Sequence, residues 1–271
     1  VQIKASMTQK KKIGLVLSGG GMHGFAQIGA IKILEQYGIK PDLIVGSSIG
    51  AIIGAASASG KSMIEIEEAV FKTNLFKLIQ PTLGQGLIKG ERIVKFVLKT
   101  INAEKFEDLK TKLVINATNL SKGEEVSFEK GNLITPLNAS IAIPGVFAPV
   151  EHNGNLLVDG GFYDVAPLHL ANKMDVIILI EVSKLDYKIH PKSGVIDIMK
   201  QSIINLQQRI LELNLEAHRT THEVLVITPN VSKYSLFEYR KEKQREMIKI
   251  GEEEAKKVLS DIRAKKILGL K

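Results

Sequence analysis
The chain has 271 residues, 44% of them hydrophobic, which is enough for one large α/β domain or two small ones around a substantial core. It contains no cysteine, which excludes disulfides, thiol catalysis and cysteine-type zinc sites, and no apolar run is long enough for a membrane-spanning helix. The net charge of +8 has Lys10-Lys11-Lys12 as its only compact run, and with no Trp and only 5% aromatic residues the stacking platforms of a single-strand binder are poorly supplied, so no nucleic-acid partner is expected.

In chain order, Val1 to Ser6 lacks the apolar block of a secretory signal and reads as a remnant or tail ahead of Met7. No repeat, low-complexity tract or linker follows, so residues 7–271 read as a single domain. A cysteine-free chain suits a reducing compartment, and a cytoplasmic location is expected. Lys12-Ile13-Gly14-Leu15-Val16-Leu17 is a buried-strand pattern that runs into Ser18-Gly19-Gly20-Gly21-Met22-His23-Gly24. A helix then extends to Tyr37, with Gly38 as its stop, and Pro41-Asp42 turns the chain into the strand Leu43 to Gly46. This is a β-α-β unit whose first turn leaves several backbone N–H groups pointing into one space.

Two uses of that loop compete. One is a nucleotide site, since Gly19, Gly21 and Gly24 form G-x-G-x-x-G and Asp42 lies about twenty positions on. The other is an oxyanion hole, serving Gly46-Ser47-Ser48-Ile49-Gly50, a G-x-S-x-G match between a strand and a helix. Gly46 and Gly50 leave room where strand and helix come close, and Ser48 stands at the tip.

Further on, helices are expected over Ile49 to Ser59, Ser62 to Asn74 and Lys89 to Thr100, and strands over Lys112 to Thr118 and Glu124 to Phe128. A short helical stretch from Asn138 gives way at Pro144 and Pro149 to extended chain. After a turn at His152 to Asn155, a strand leads into Asp159-Gly160-Gly161, where an acid between a strand end and two glycines faces open space; an isolated Asp-Gly is otherwise a plain turn. A strand over Val176 to Val182 and a surface loop over Ser183 to Gly194 follow.

The glycine loop, the G-x-S-x-G elbow, the Ala139-Ser140 to Pro149 block and Asp159-Gly160-Gly161 together, in this order and spacing, resemble the patatin-like phospholipase family, in its bacterial branch. The resemblance continues through helical chain near Ile196 to Glu216, a strand over Glu223 to Ile227 and a helix near Ile248 to Ile262. It implies an α/β fold, a three-layer α/β/α sandwich with a mostly parallel sheet, and a serine esterase acting on lipid acyl esters without metal, cofactor or catalytic histidine. Ser48 would be the nucleophile, Asp159 the base, and Gly19, Gly20 and Gly21 the oxyanion-hole loop, supported by Gly24, Gly46, Gly50, Pro144, Gly160 and Gly161. A regulatory, lipid-binding member of the same fold is the alternative, and a nucleotide-binding protein a further one.

Many members of the family carry Arg or Lys where this chain has His23. The histidine either supports an oxyanion or head group or merely caps the loop. His218 and His222, four apart without the Glu of H-E-x-x-H, read as a structural pair rather than a zinc site. Leu75, Phe76, Leu78 and Ile79 could form an apolar lip for peripheral membrane contact, and they fit a core equally well. The sequence is silent on oligomeric state.

Overall fold
A computed structural model describes residues 11–82, 86–185 and 189–270. The tail before Met7, Met7 itself and Lys10 lie outside the described residues, as do Leu83 to Gln85 and, within the expected surface loop over Ser183 to Gly194, Asp186 to Lys188.

Strand β1 (Ile13–Leu17) leads through the glycine loop into α1 (Gly24–Gln36), and β2 (Leu43–Gly46) leads into α2 (Ile49–Ala58). Helix α3 (Met63–Lys72) starts at Ser62, whose side chain and that of Glu65 cap each other's amides. A two-residue pair, β3 (Gln80–Pro81) and β4 (Ile88–Lys89), precedes α4 (Glu91–Ile101). Next come β5 (Lys112–Asn119), β6 (Glu124–Phe128), α5 (Ile134–Ser140), β7 (Val150–His152), β8 (Asn155–Asp159) and β9 (Val176–Ile180). The chain closes with α6 (Val195–Arg219), β10 (Glu223–Ile227), α7 (Lys241–Ser260) and α8 (Ile262–Leu268).

The main sheet has eight strands in the order β10-β9-β1-β2-β5-β8-β7, with β6 also paired to β5. From β10 to β5 all neighbours are parallel, and β6, β7 and β8 add antiparallel pairs. Both faces of the parallel part are covered, which is why its strands are almost wholly apolar. Leu15, Leu17, Ile44, Ile115 and Ile178 pack toward α1, α2, α4 and α7, while Val16, Val45, Val114, Ile177 and Leu179 pack toward α6 and the turn Leu168–Ala171. The architecture is therefore a three-layer α/β/α sandwich on a mostly parallel sheet.

Register brings two chain ends together on β5. β6 and β8 both pair with Ala117 to Asn119, so they occupy opposite edges of β5, and β2 shares Ile115 with β6, so it lies on the edge that β8 uses. β2 arrives parallel and ends at Gly46 beside Ile115; β8 arrives antiparallel and ends at Asp159 beside Ala117. The two ends thus face each other two residues apart along one strand, a separation of about 7 Å.

Candidate active site
Ser48 occupies the bend between β2 and α2 with φ 53° and ψ −124°, a conformation that L-residues rarely adopt. The bend closes because Gly46 and Gly50 have no side chains: a Cβ on Gly50 would collide with the main chain of Leu17 and Ser18, and one on Gly46 with α2 itself. The Ser48 amide donates to Ser140 Oγ at 2.9 Å, and the Ser48 hydroxyl donates to Asp159 Oδ2 at 2.6 Å.

Asp159 is buried at the end of β8. Its second carboxylate oxygen accepts from the Gly161 amide at 2.8 Å, its own amide donates to the Ala142 carbonyl, and its carbonyl accepts from the Thr118 hydroxyl. Burial pushes its pKa up from 3.8 to about 7, against the lowering effect of the bonds from Ser48 and Gly161. A carboxylate of ordinary acidity would be a poor proton acceptor at neutral pH, and burial removes that deficit.

A polar network lies beneath both groups. Ser47 Oγ donates to the Asp164 carbonyl, and Asn116 Nδ2 donates to the same carbonyl at 3.0 Å, to the Gly160 carbonyl and to Glu125. Gln207 from α6 donates to the Gly161 carbonyl at 2.8 Å. Asp164 and Glu125 flank His169, which Asp164 and Glu125 together raise to a pKa of about 10, so its ring is cationic at neutral pH.

The glycine loop borders the same space. Gly19 lies against Ser48, but its amide is spent on the Val165 carbonyl at 2.8 Å. Gly20 (φ 152°) and Gly21 (φ 55°) turn the chain, with the main-chain carbonyls of Val182 and Leu236 where their Cβ atoms would be. Among the described residues, the amides of Gly20, Gly21 and Ile49 have no main-chain or side-chain acceptor. Donors unspent at the start of a helix suit an anion.

The ring of His23 is fully buried, with Nδ1 3.1 Å from the Val182 carbonyl oxygen and Nε2 2.9 Å from that of Tyr234. The ring ties the loop to the exit of β9 and to the segment before α7, and both its nitrogens are occupied there. Gly24 opens α1, Gly160 and Gly161 form the turn after Asp159, and Pro144 with Gly145 (φ 81°) makes the turn closed by Val146 N–H to the Ile143 carbonyl.

Ser48, Ile49 and Gly21 line a cavity of about 190 Å³ whose other walls include Phe25, Ile52, Phe96 and Ile143. Leu75, Leu78 and Ile79 also line it, whereas Phe76 stays exposed and stacks on Tyr239 at 4.8 Å. No motif in the sequence marks the Ile49 amide, Asn116 or Gln207. Ser140 was visible only as part of a motif block. His218 and His222 hold Asn172 and the end of α6, and among the described residues no group of three His, Asp or Glu side chains is placed to hold a metal ion. No helix among those residues is long and apolar enough to cross a membrane.

Residues 15–172 match the family model described as patatin-like phospholipase. An uncharacterised NTE family protein of Mycobacterium tuberculosis is 33% identical over 175 residues, 64% of this chain and 49% of that protein. Lysophospholipases of Phaeosphaeria nodorum and Candida albicans are 32% and 30% identical over 65% and 67% of this chain, but only 12% and 14% of their own lengths are covered. The chain thus spans about half of the mycobacterial relative and a small part of the fungal ones, and relatives from bacteria and fungi alike single out no bacterial branch. Among solved structures, VipD from Legionella pneumophila gives a TM-score of 0.59 at 15% identity, over 93% of this chain and 67% of that one. A chain of the ExoU-SpcU complex from the type III secretion system of Pseudomonas aeruginosa gives 0.52 at 17% identity, over 96% and 52%. At such identities the likeness is one of fold.

Proposed function
The chain belongs to the patatin-like phospholipase family, and on that premise we propose that it is a serine esterase that hydrolyses acyl esters of lipids with a Ser48–Asp159 dyad. The observation that carries this reading is the 2.6 Å hydrogen bond from the Ser48 hydroxyl to Asp159 at the wall of an apolar cavity. Ser48 Oγ attacks the ester carbonyl while its proton passes to Asp159 Oδ2. The oxyanion that forms is met by the free amides of Gly20, Gly21 and Ile49, where one donor is worth on the order of a hundredfold in rate. The acyl chain occupies the apolar cavity. Asp159 returns its proton to the departing alcohol, which leaves an acyl-Ser48 ester. Water then gives a proton to Asp159, attacks that ester and releases the fatty acid, with the proton going back to Ser48. The fungal relatives named lysophospholipases favour an ester carrying one acyl chain.

A fluorophosphonate probe tests the reading. Its mass adduct should fall on Ser48 and vanish in Ser48→Ala, and hydrolysis across a panel of lipids should be lost in Ser48→Ala and Asp159→Asn with folding intact. Folded wild-type protein that takes up no probe and leaves short p-nitrophenyl esters untouched would overturn it.

A further inference from the structure
In α6, Val195, Met199 and Leu206 recur at spacings of four and seven, one line along a helix, with Ile196 and Ile198 to either side. That pattern ordinarily marks a face packed on a core. Here all five side chains are at least half exposed, and Leu211 is the one buried residue of the helix. The helix is held from Gln207 onward, through Gly161, Ser183, Asp164 and Asn172. From Val195 to Leu206 the hydrogen bonds among the described residues are internal to the helix or made to Gly194. Because α6 descends toward the start of β10, this held end lies low and the free end rises past Gly161 and Ser183. The first twelve residues of α6, about 18 Å of helix, therefore precede its first hydrogen bond to the body and lie toward the sheet edge at which Ser48 sits.

Other exposed apolar groups gather at the same edge: Phe76 and Leu87, each adjoining residues that line the cavity, and Phe162 just after Gly161. Exposed Lys192, three residues before α6, and exposed Lys200 within it flank the free end of the helix, and Asp197 is its only acid before Gln207. The apolar side chains span an arc of about 160° around the helix, too wide for the narrow seam of a coiled coil with a second copy. A broad apolar face fringed by lysines fits the headgroup region of an anionic bilayer.

We propose that the N-terminal half of α6 docks the protein on an anionic lipid surface and presents the Ser48 cavity to it. The purpose of this docking rests on the lipid-esterase reading, whereas the docking itself can be measured apart from it. The chain has no Trp, so Met199→Trp introduces a single reporter. With vesicles of phosphatidylglycerol and phosphatidylcholine its emission should shift to the blue and be quenched by brominated acyl chains. The double variant Ile196→Asp/Met199→Asp should partition about tenfold or more less onto those vesicles and hydrolyse vesicle-borne substrate correspondingly slowly, with turnover of a short soluble ester unchanged. Emission indifferent to vesicles overturns the docking, as does a blue shift in buffer alone accompanied by a doubled mass, which would assign the face to a second copy. Wild-type protein that hydrolyses soluble ester but does not float with vesicles removes the docking alone; protein that floats but hydrolyses nothing removes the esterase reading alone.

Discussion

Asp159 combines burial with a hydrogen bond to Ser48, and the two act on its proton in opposite directions, with burial the larger. A carboxyl titrating near 7 is protonated, and useless as a base, in mild acid. The rate constant kcat/KM on a soluble ester should therefore climb as pH rises from 5 and level off above an apparent pKa of about 7. Asp159→Asn should lose that limb along with activity, by about a thousandfold or more. A wild-type profile flat between pH 5 and 9 would remove Asp159 from the role of base. His23 differs in kind: its neighbours are main-chain carbonyls on two distant segments, so it acts on where the glycine loop sits.

At the scale of elements, the elbow is a close approach of β2, α2 and the end of β1, and glycine is its condition. Gly50→Ala drives a methyl into the Leu17 main chain and should abolish folding or cost about 3 kcal/mol or more. Gly38→Ala, at φ 69° in open space, should cost only about 1–2 kcal/mol. Urea midpoints of the two variants check the contrast, and equal midpoints would refute it. This steric logic is local, which is why Gly46, Ser48 and Gly50 were legible in the sequence. So was the hairpin before Asp159, where Asn153 and Gly154 take the positive φ values that their types favour. Asn116, Gln207 and the contact that Ser140 makes with the Ser48 amide were not legible, because each meets the site from an element remote in sequence, by register or packing. The direction of β8 was hidden for the same reason. The free amides were hidden too: three glycines read as one donor loop, yet Gly19 spends its amide on Val165. In α6 the helical chain implied near Ile196 to Glu216 by the family resemblance is present, but the resemblance gave no sign that its apolar face is uncovered.

Across the whole molecule, His169 joins the antiparallel flank to the parallel core, lying between Glu125 of β6 and Asp164 of the turn after β8. Its pKa is raised by these partners to about 10, so its contribution to stability is complete below the unfolded value near 6.5 and fades as pH rises through about 10. The gap in melting temperature between wild type and His169→Ala should be widest near pH 6 and close above pH 10; a gap constant over that range would refute the coupling. The register on β5 reaches further. Because β2 and β8 stop two residues apart on one edge of the same central strand, the interval between Ser48 and Asp159 is counted out in backbone hydrogen bonds, as on a vernier. Such an interval cannot loosen by degrees: it holds while the strands hold and disappears when they part. On slow heating, ester turnover should fail at the temperature at which the sheet melts, with no inactive folded species in between.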